Sequence, residues 1–230
     1  MKLGFLSDAH GNREAFDLGI LVLRSSGAET IYFLGDAVGY MPGDAVLDAI
    51  REAGTIPILG NHDAALLARE IDPDREDVIR LQQTLQTASA ANLEFVASWP
   101  DHRVIESPSG TILLVHGSPA NRLDGYIYPD TDLKPISDLG AHYVFLGHTH
   151  RPFVRRGEHA TFVNVGSCGL PRDCGHLGAV SLFDTETGDV EILRFDIQDA
   201  TRAALRRCGP VSPQVLAVFE RRSSSDCYGA

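Results

Sequence analysis

The sequence is poor in cysteine, in basic charge and in long apolar runs, and each shortage removes a class of protein. Its four cysteines, Cys168, Cys174, Cys208 and Cys227, fall late in the chain and form no CxxC pair. Neither a zinc cluster nor a disulfide framework is therefore expected. Lys and Arg number 20 against 31 Asp and Glu, a formal net charge of -11. A broad nucleic-acid-binding face or an attachment to an anionic membrane needs a basic surface, so neither is expected. No apolar run is long enough to span a bilayer, and residues 1–7 carry no signal-peptide pattern. A cytoplasmic protein with reduced thiols is the expectation.

What is present fits one large globular domain: 230 residues, 43% hydrophobic and 22% charged. Short apolar runs at residues 3–6, 31–34, 55–59, 112–115, 143–146 and 162–165 end at glycine or a polar residue, as buried strands feeding loops do. Helical patterns at 13–24 and 45–53 alternate with the first three, so the opening third reads β-α-β-α-β and the class is α/β. Residues 64–100 favour helix apart from Pro73, with Val78, Leu81, Leu85, Leu93 and Val96 at stripe spacing, and read as a helical insertion. Hairpins are expected at 103–115, turning at 107–110, and at 178–195, turning near 186–188. A helix should run from Asp199 to Gly209 and another should start at Ser212 and Pro213. One domain over residues 1–222, with a frayed tail at 223–230, is the expected organisation.

Metal-ligating residue types gather where these strands end. Asp8 and His10 follow the first run, Asp36 the second, Asn61 and His62 the third, His116 the run at 112–115, and His148 and His150 that at 143–146. In an open α/β sheet the loops leaving the carboxyl ends of strands form the ligand crevice. Singly, each residue is an ordinary turn former or a hydrogen-bonded core histidine; five strand ends of the same character are hard to ascribe to turns. Carboxylate, amide and imidazole donors without thiolate suit divalent Mn, Fe, Zn or Ni. Seven donors exceed the needs of one tetrahedral ion, so two ions sharing Asp36 fit the count. Two such ions bring four positive charges against the two carboxylates Asp8 and Asp36, which would draw a phosphate ester into an acidic protein.

Taken together, DAHGN from Asp8, GDAVGY from Gly35, GNHD from Gly60, HGSP from His116 and GHTH from Gly147 resemble the calcineurin-like metallophosphoesterase superfamily. Within it the chain is similar to the small bacterial and archaeal single-domain phosphodiesterase, or diadenosine-tetraphosphatase-like, branch. The resemblance covers about residues 1 to 200. It implies a four-layer α/β/β/α sandwich of two mixed sheets flanked by helices. It also implies a dinuclear centre: Asp8, His10, Asp36 and His150 on one ion, Asp36, Asn61, His116 and His148 on the other, with His62 facing the substrate. GDAVGY and LGNHD lack the arginines of the Ser/Thr protein phosphatases, and Val165 stands where relatives of this branch often carry proline.

The implied reaction is hydrolysis of a phosphate ester by in-line attack of a metal-bridging hydroxide, with manganese the first choice of metal. His62 would neutralise the leaving oxygen, oriented by Asp63. Asn12, Arg13 and Arg172 are candidate substrate contacts, Arg172 because a guanidinium matches phosphate geometry. Tyr126 and Tyr128 could stack a base, shape the mouth of the site or simply pack. His102, His142, His159 and His176 lack motif context and read as structural. A phosphodiesterase acting on a small, possibly nucleotide-derived ester is the leading expectation, with phosphomonoesterase and dinucleoside polyphosphate hydrolase as alternatives. The rival class is a non-catalytic metal-binding scaffold, in which the GNHD histidine or several ligands would be missing; here all are present.

Overall fold

A computed structural model of the chain describes residues 1–136 and 139–222. The elements follow in order: β1 (Lys2–Leu6), α1 (Arg13–Ser25), β2 (Thr30–Phe33), α2 (Asp44–Ala53), β3 (Ile56–Pro57), α3 (Asn61–Ala68), α4 (Glu76–Ile79), α5 (Leu81–Thr87) and α6 (Ala90–Ala97). Then come β4 (His102–Ile105), β5 (Ile112–Val115), a 3-10 turn (Lys134–Ile136), β6 (Tyr143–Leu146), β7 (Phe153–Arg156), β8 (Thr161–Asn164), β9 (Leu177–Asp184), β10 (Val190–Asp196), α7 (Gln198–Cys208) and α8 (Pro213–Glu220). The tail expected to fray, 223–230, lies outside the described residues, and Cys227 with it.

Two five-stranded mixed sheets result, ordered β10-β9-β1-β2-β3 and β4-β5-β6-β8-β7. In the first, β1, β2 and β3 are parallel and β9 and β10 add antiparallel strands on the β1 side; in the second, the parallel centre β5-β6-β8 is flanked by antiparallel β4 and β7. Alternation along the strands decides which core each side chain joins. Leu3, Phe5 and Phe183 of the first sheet meet Ile112, Leu114, Phe145 and Val163 of the second in one buried cluster. Leu6, Phe33, Val180 and Leu182 point the other way and pack against Phe16, Ile20 and Leu23 of α1 and Val46, Leu47 and Ile50 of α2. This is the expected α/β fold of two packed sheets with flanking helices.

The layers are unequal. The outer face of the first sheet is covered by α1, α2 and the helical stretch that follows β3. Val144, Leu146 and Phe162 on the outer face of the second pack instead on Ile127, Leu133 and Ile136, from a long loop whose described residues hold only the 3-10 turn. The stretch expected to be helical over 64–100 is so in pieces: Arg69 and Arg80 take left-handed backbone, φ 55 and 60, and Pro73 lies between them. Leu81 and Val96 of the expected stripe are buried, with Leu85 and Leu93 partly so. The strand at 153–156 carries no sequence signal strong enough to separate it from a loop. The run at 55–59 yields only two paired residues, on an edge strand where Pro57 is tolerated, because Leu59 already turns its N–H to the Pro100 carbonyl at 2.8 Å.

Candidate metal centre

The seven expected metal-binding residues converge on the ends of the two central strand sets. β1 delivers Asp8 and His10, β2 delivers Asp36, the first residue of α3 is Asn61, β5 delivers His116, and β6 delivers His148 and His150. Asp8, His10, Asp36, His148 and His150 all have left-handed backbone, with φ 57, 48, 59, 66 and 56. Such conformations cost non-glycine residues about 1–3 kcal/mol each and persist only where the surroundings impose them. Hydrogen bonds between loops do so here. The N–H groups of Asp8 and His10 donate to the carbonyls of Gly35 and Asp36 at 2.9 and 3.1 Å, and the His148 N–H donates to Asp8 Oδ2 at 3.0 Å. Gly60 and Gly147 permit the closest approaches: a Cβ on either would collide with the carboxylate of Asp36 or Asp8.

Three histidines have their tautomer set by backbone carbonyls. Nδ1 of His10, His116 and His150 lies 2.9, 2.8 and 2.5 Å from the carbonyls of Val38, Leu34 and Leu170. A carbonyl only accepts, so Nδ1 holds the proton and Nε2 offers its lone pair inward. Those lone pairs then crowd one another. His10 Nε2 is 3.1 Å from His150 Nε2, His150 Nε2 is 3.2 Å from Asp8 Oδ1, and His116 Nε2 is 3.4 Å from Asp36 Oδ2 and 3.2 Å from Asn61 Oδ1. Asp8 Oδ1 and His148 Nε2 are buried without any hydrogen-bond partner. Buried acceptors facing each other are costly unless something positive sits among them.

The charges agree. Burial works against ionising Asp8 and Asp36, yet the surrounding histidines hold both carboxyls well below their usual range. Burial also opposes a charge on His116, but Asp36 and Asp8 raise its pKa to about 10: a proton on Nε2 answers the carboxylates until a cation takes its place, and His116 must release that proton to act as a ligand. Burial lowers His148 to about 4 and His150 to about 3, keeping both neutral as a metal ligand must be. Among the described residues, three groups have ligand atoms mutually within 4.8 Å: Asp8, His10 and His150; His10, Asp36 and His62; and Asp36, His116 and His148. Asp36 belongs to two of them. The donors thus fit divalent ions without rearrangement.

Beside this cluster lies a cavity of about 330 Å³, bounded by Asp36, Asn61, His62, His148 and His150 on one side and by Glu70, Asp72, Arg75 and Glu76 on another. His62 lines it, its Nε2 3.9 Å from Asp36 Oδ2, and burial lowers its pKa to about 4. Arg172 lines it too and bonds the Tyr40 hydroxyl through Nη2 at 2.9 Å. Tyr126 lines it with its ring 4.2 Å from that of His148, and Tyr128 stacks on Tyr126 at 5.8 Å.

Three expected site residues are placed elsewhere or otherwise. Asn12 is fully buried as the N-cap of α1, accepting from the Ala15 N–H and donating to Gly169 O and Thr201 Oγ1. Arg13 reaches away to Asp17 and Glu52 on the α1–α2 surface. Neither borders the cavity. Asp63, expected to orient His62, instead accepts four backbone N–H groups, from Gly60, Asp36, Ala37 and Val38, at 2.7–3.3 Å. Burial and the charge of Asp36 push its pKa up to about 7 against those donors. It ties the start of α3 to the Asp36 loop.

Sequence reasoning missed the supports. Ser167 Oγ donates to the Asp8 carbonyl at 2.7 Å, and Asn164 Nδ2 to Gly147 O at 2.7 Å and Thr149 Oγ1 at 2.9 Å. Tyr40, with φ 64, sets its ring edge-on to His10 at 4.8 Å. Tyr40 had the GDAVGY segment as its signal, whereas Asn164 and Ser167 lie outside the five quoted segments. Val165 donates its N–H to Leu146 O at 2.9 Å, a bond that proline at this position could not make.

Fold and donor set define a metal-dependent phosphoesterase, and the sequence comparison agrees: the profile of the calcineurin-like phosphoesterase superfamily domain matches residues 1–188. The chain belongs to that superfamily and is a metal-dependent hydrolase of phosphate esters. An uncharacterized protein of Methanocaldococcus jannaschii is 29% identical over 224 residues, covering 86% of this chain and 89% of the relative. A protein of Methanothermobacter thermautotrophicus, named "Probable metallophosphoesterase", is 30% identical over 156 residues, 66% of this chain and 81% of the relative. Among solved structures, a metallophosphoesterase from Sphaerobacter thermophilus superposes with TM-score 0.76 at 26% identity, covering 96% of this chain and 98% of its own. A hypothetical protein from Pyrococcus horikoshii OT3 shares the fold with TM-score 0.78 at 23% identity, covering 95% and 97%.

Proposed function

We propose that the chain is a dinuclear phosphodiesterase acting on a small ester. Asp8, His10, Asp36 and His150 would hold one ion and Asp36, Asn61, His116 and His148 the other, with Asp36 shared. The observation that carries this is the set of buried, inward-facing acceptors without partners, Asp8 Oδ1 and His148 Nε2 above all. Two divalent ions, manganese by preference, would supply the positive charge that acidifies water and neutralises phosphoryl oxygens.

The chain's own residues do the rest. Arg172 meets the cavity with a guanidinium held on one side by the Tyr40 hydroxyl, and its remaining N–H groups would orient a phosphoryl oxygen. His62 stands at the start of α3 on the cavity side, and each ion has four ligands without it, which leaves its imidazole for the leaving oxygen. Asp63 acts on His62 through the helix it caps rather than through the ring. The cavity, near the small end of ligand-pocket volumes, suits a compact diester more than a long polyphosphate. No helix among the described residues is long and apolar enough to cross a membrane, and the described cysteines Cys168, Cys174 and Cys208 are all free. The free cysteines fit a reducing compartment, and the proposal places the protein in the cytoplasm.

The test is a manganese-supplemented panel of bis(p-nitrophenyl) phosphate, p-nitrophenyl phosphate, a cyclic nucleotide and a dinucleoside polyphosphate, alongside metal analysis of the purified protein. Preference for the diester with about two manganese per chain supports the proposal. Preference for the monoester overturns the diester assignment, and failure to bind metal overturns the whole.

A further inference from the structure

The family profile ends at residue 188, and the chain goes on to form α7 and α8. Both press on loops of the metal centre. From α7, Arg207 Nη2 donates to the Gly11 carbonyl, next to His10, at 3.0 Å, and Thr201 Oγ1 receives the side chain of Asn12. From the end of α8, Arg221 Nη1 donates to the Arg172 carbonyl at 2.7 Å, and the Arg221 carbonyl accepts from the Gly175 N–H at 3.1 Å. Arg222 continues this as an isolated antiparallel bridge with Cys174. A Cβ on Gly175 would strike the Val218 carbonyl, so the approach of α8 depends on glycine there.

The segment 172–175 is thereby gripped from two sides. Toward the metal centre, the Arg172 N–H donates to the His150 carbonyl at 3.2 Å. Beneath it, the buried Asp173 carboxylate is held by Arg194 at 2.6 and 3.2 Å. Toward the C-terminus, Arg221 holds the carbonyl of the same Arg172. The Arg172 side chain leaves this fixed peptide for Tyr40 and the cavity.

We propose that Arg221 is a positioning residue: by fixing the Arg172 peptide it aims the Arg172 guanidinium at the phosphoryl group. This rests on the role given to Arg172 above. A guanidinium misplaced by about 1 Å loses much of its benefit to a reacting group. Because the Arg221 bond is exposed, its loss should be felt as a modest weakening of substrate binding. α8 has a separate anchor, Phe219 packed near Ala15, Ile197 and Ala200, so the helix does not depend on Arg221 to stay in place.

The experiment uses the full chain loaded with manganese and compares wild type, Arg172→Ala, Arg221→Ala, Arg221→Lys and the Arg172→Ala/Arg221→Ala double variant on bis(p-nitrophenyl) phosphate. Metal content and Tm are measured on each. Arg172→Ala should lower kcat/KM by about 10- to 100-fold. Arg221→Ala should lower it about 3- to 10-fold, chiefly through KM, with metal content and Tm unchanged. Arg221→Lys, which keeps a donor for the carbonyl, should recover most of the loss, and the double variant should be no worse than Arg172→Ala alone. The proposal is overturned if Arg221→Ala stays within twofold of wild type, if its effect multiplies with that of Arg172→Ala, or if activity falls only in step with metal content. Full activity in Arg172→Ala overturns it as well while leaving the phosphodiesterase reading intact. A manganese-loaded wild type that cleaves no phosphate ester overturns both.

Discussion

The cavity has two walls built on opposite principles. One, of Asp36, His148 and His150 packed against Asp8, His10 and His116, is made of buried side chains at strand ends, with the rings of His10, His116 and His150 fixed by backbone carbonyls and the carboxylates of Asp8 and Asp36 by backbone N–H groups. The other, of Glu70, Asp72 and Arg75, comes from the broken helical stretch and is exposed. The first wall accepts strained backbone to hold charge in a fixed array; the second carries no such cost and can change without disturbing the first. Reaction type should therefore belong to the buried wall and substrate preference to the exposed one.

The sharpest way to break this contrast is to change Asp36, the carboxylate common to two ligand groups. Asp36→Asn should lower kcat/KM by roughly a thousandfold or more, because under the proposed sharing both ions would lose a carboxylate and several kcal/mol of charge stabilisation would go with it. Steady-state kinetics with metal analysis checks it; retained activity would mean that Asp36 is not shared. His62→Ala should cost less, about 10² in kcat for an ester with a poor leaving group, with metal content intact. Equal losses for good and poor leaving groups would show that His62 serves the metal instead, as its grouping with His10 and Asp36 permits.

These residues were legible because strands ending in Asp, Asn, His and Gly leave a local signature that survives without knowledge of tertiary structure. The same locality explains the misreadings. Asn12 and Arg13 stand two and three residues beyond His10, but entry into α1 turns one inward as a cap and the other out to Glu52. Asp63 adjoins His62 in sequence, yet one step along a helix turns a side chain by about 100°, toward the Asp36 loop. The carbonyls of Leu34, Val38 and Leu170 that set the tautomers carry no side-chain signal at all. β7 was missed because Phe153–Arg156 has an apolar half too short to show a period, and only pairing with β8 makes it a strand.

Asp63 tests how far the buried wall depends on support from outside its ligands. Asp63→Ala strips the acceptor from four backbone N–H groups, two of them flanking the Asp36 Cα. A change of this kind behind a metal ligand typically weakens metal affinity by about 10- to 100-fold. Calorimetric titration with manganese should show that loss while saturating metal restores most of kcat. If kcat stays low at saturation, Asp63 acts on the chemistry and not on the frame.

The exposed wall should give the smallest response and the one most dependent on conditions. Glu70 and Asp72 border the cavity as solvent-exposed carboxylates, so their field on an incoming phosphate is screened by salt with a Debye length of about 10 Å at 0.1 M. Glu70→Gln with Asp72→Asn removes two negative charges without touching a proposed ligand. KM for the doubly charged p-nitrophenyl phosphate should fall about two- to fivefold more than KM for the singly charged bis-ester, and the difference should shrink at high salt. Metal content and kcat should hold, since neither carboxylate is among the proposed ligands. A change in kcat at saturating metal would mean that the helical wall reaches the chemistry after all, and the division of labour between the two walls would fail.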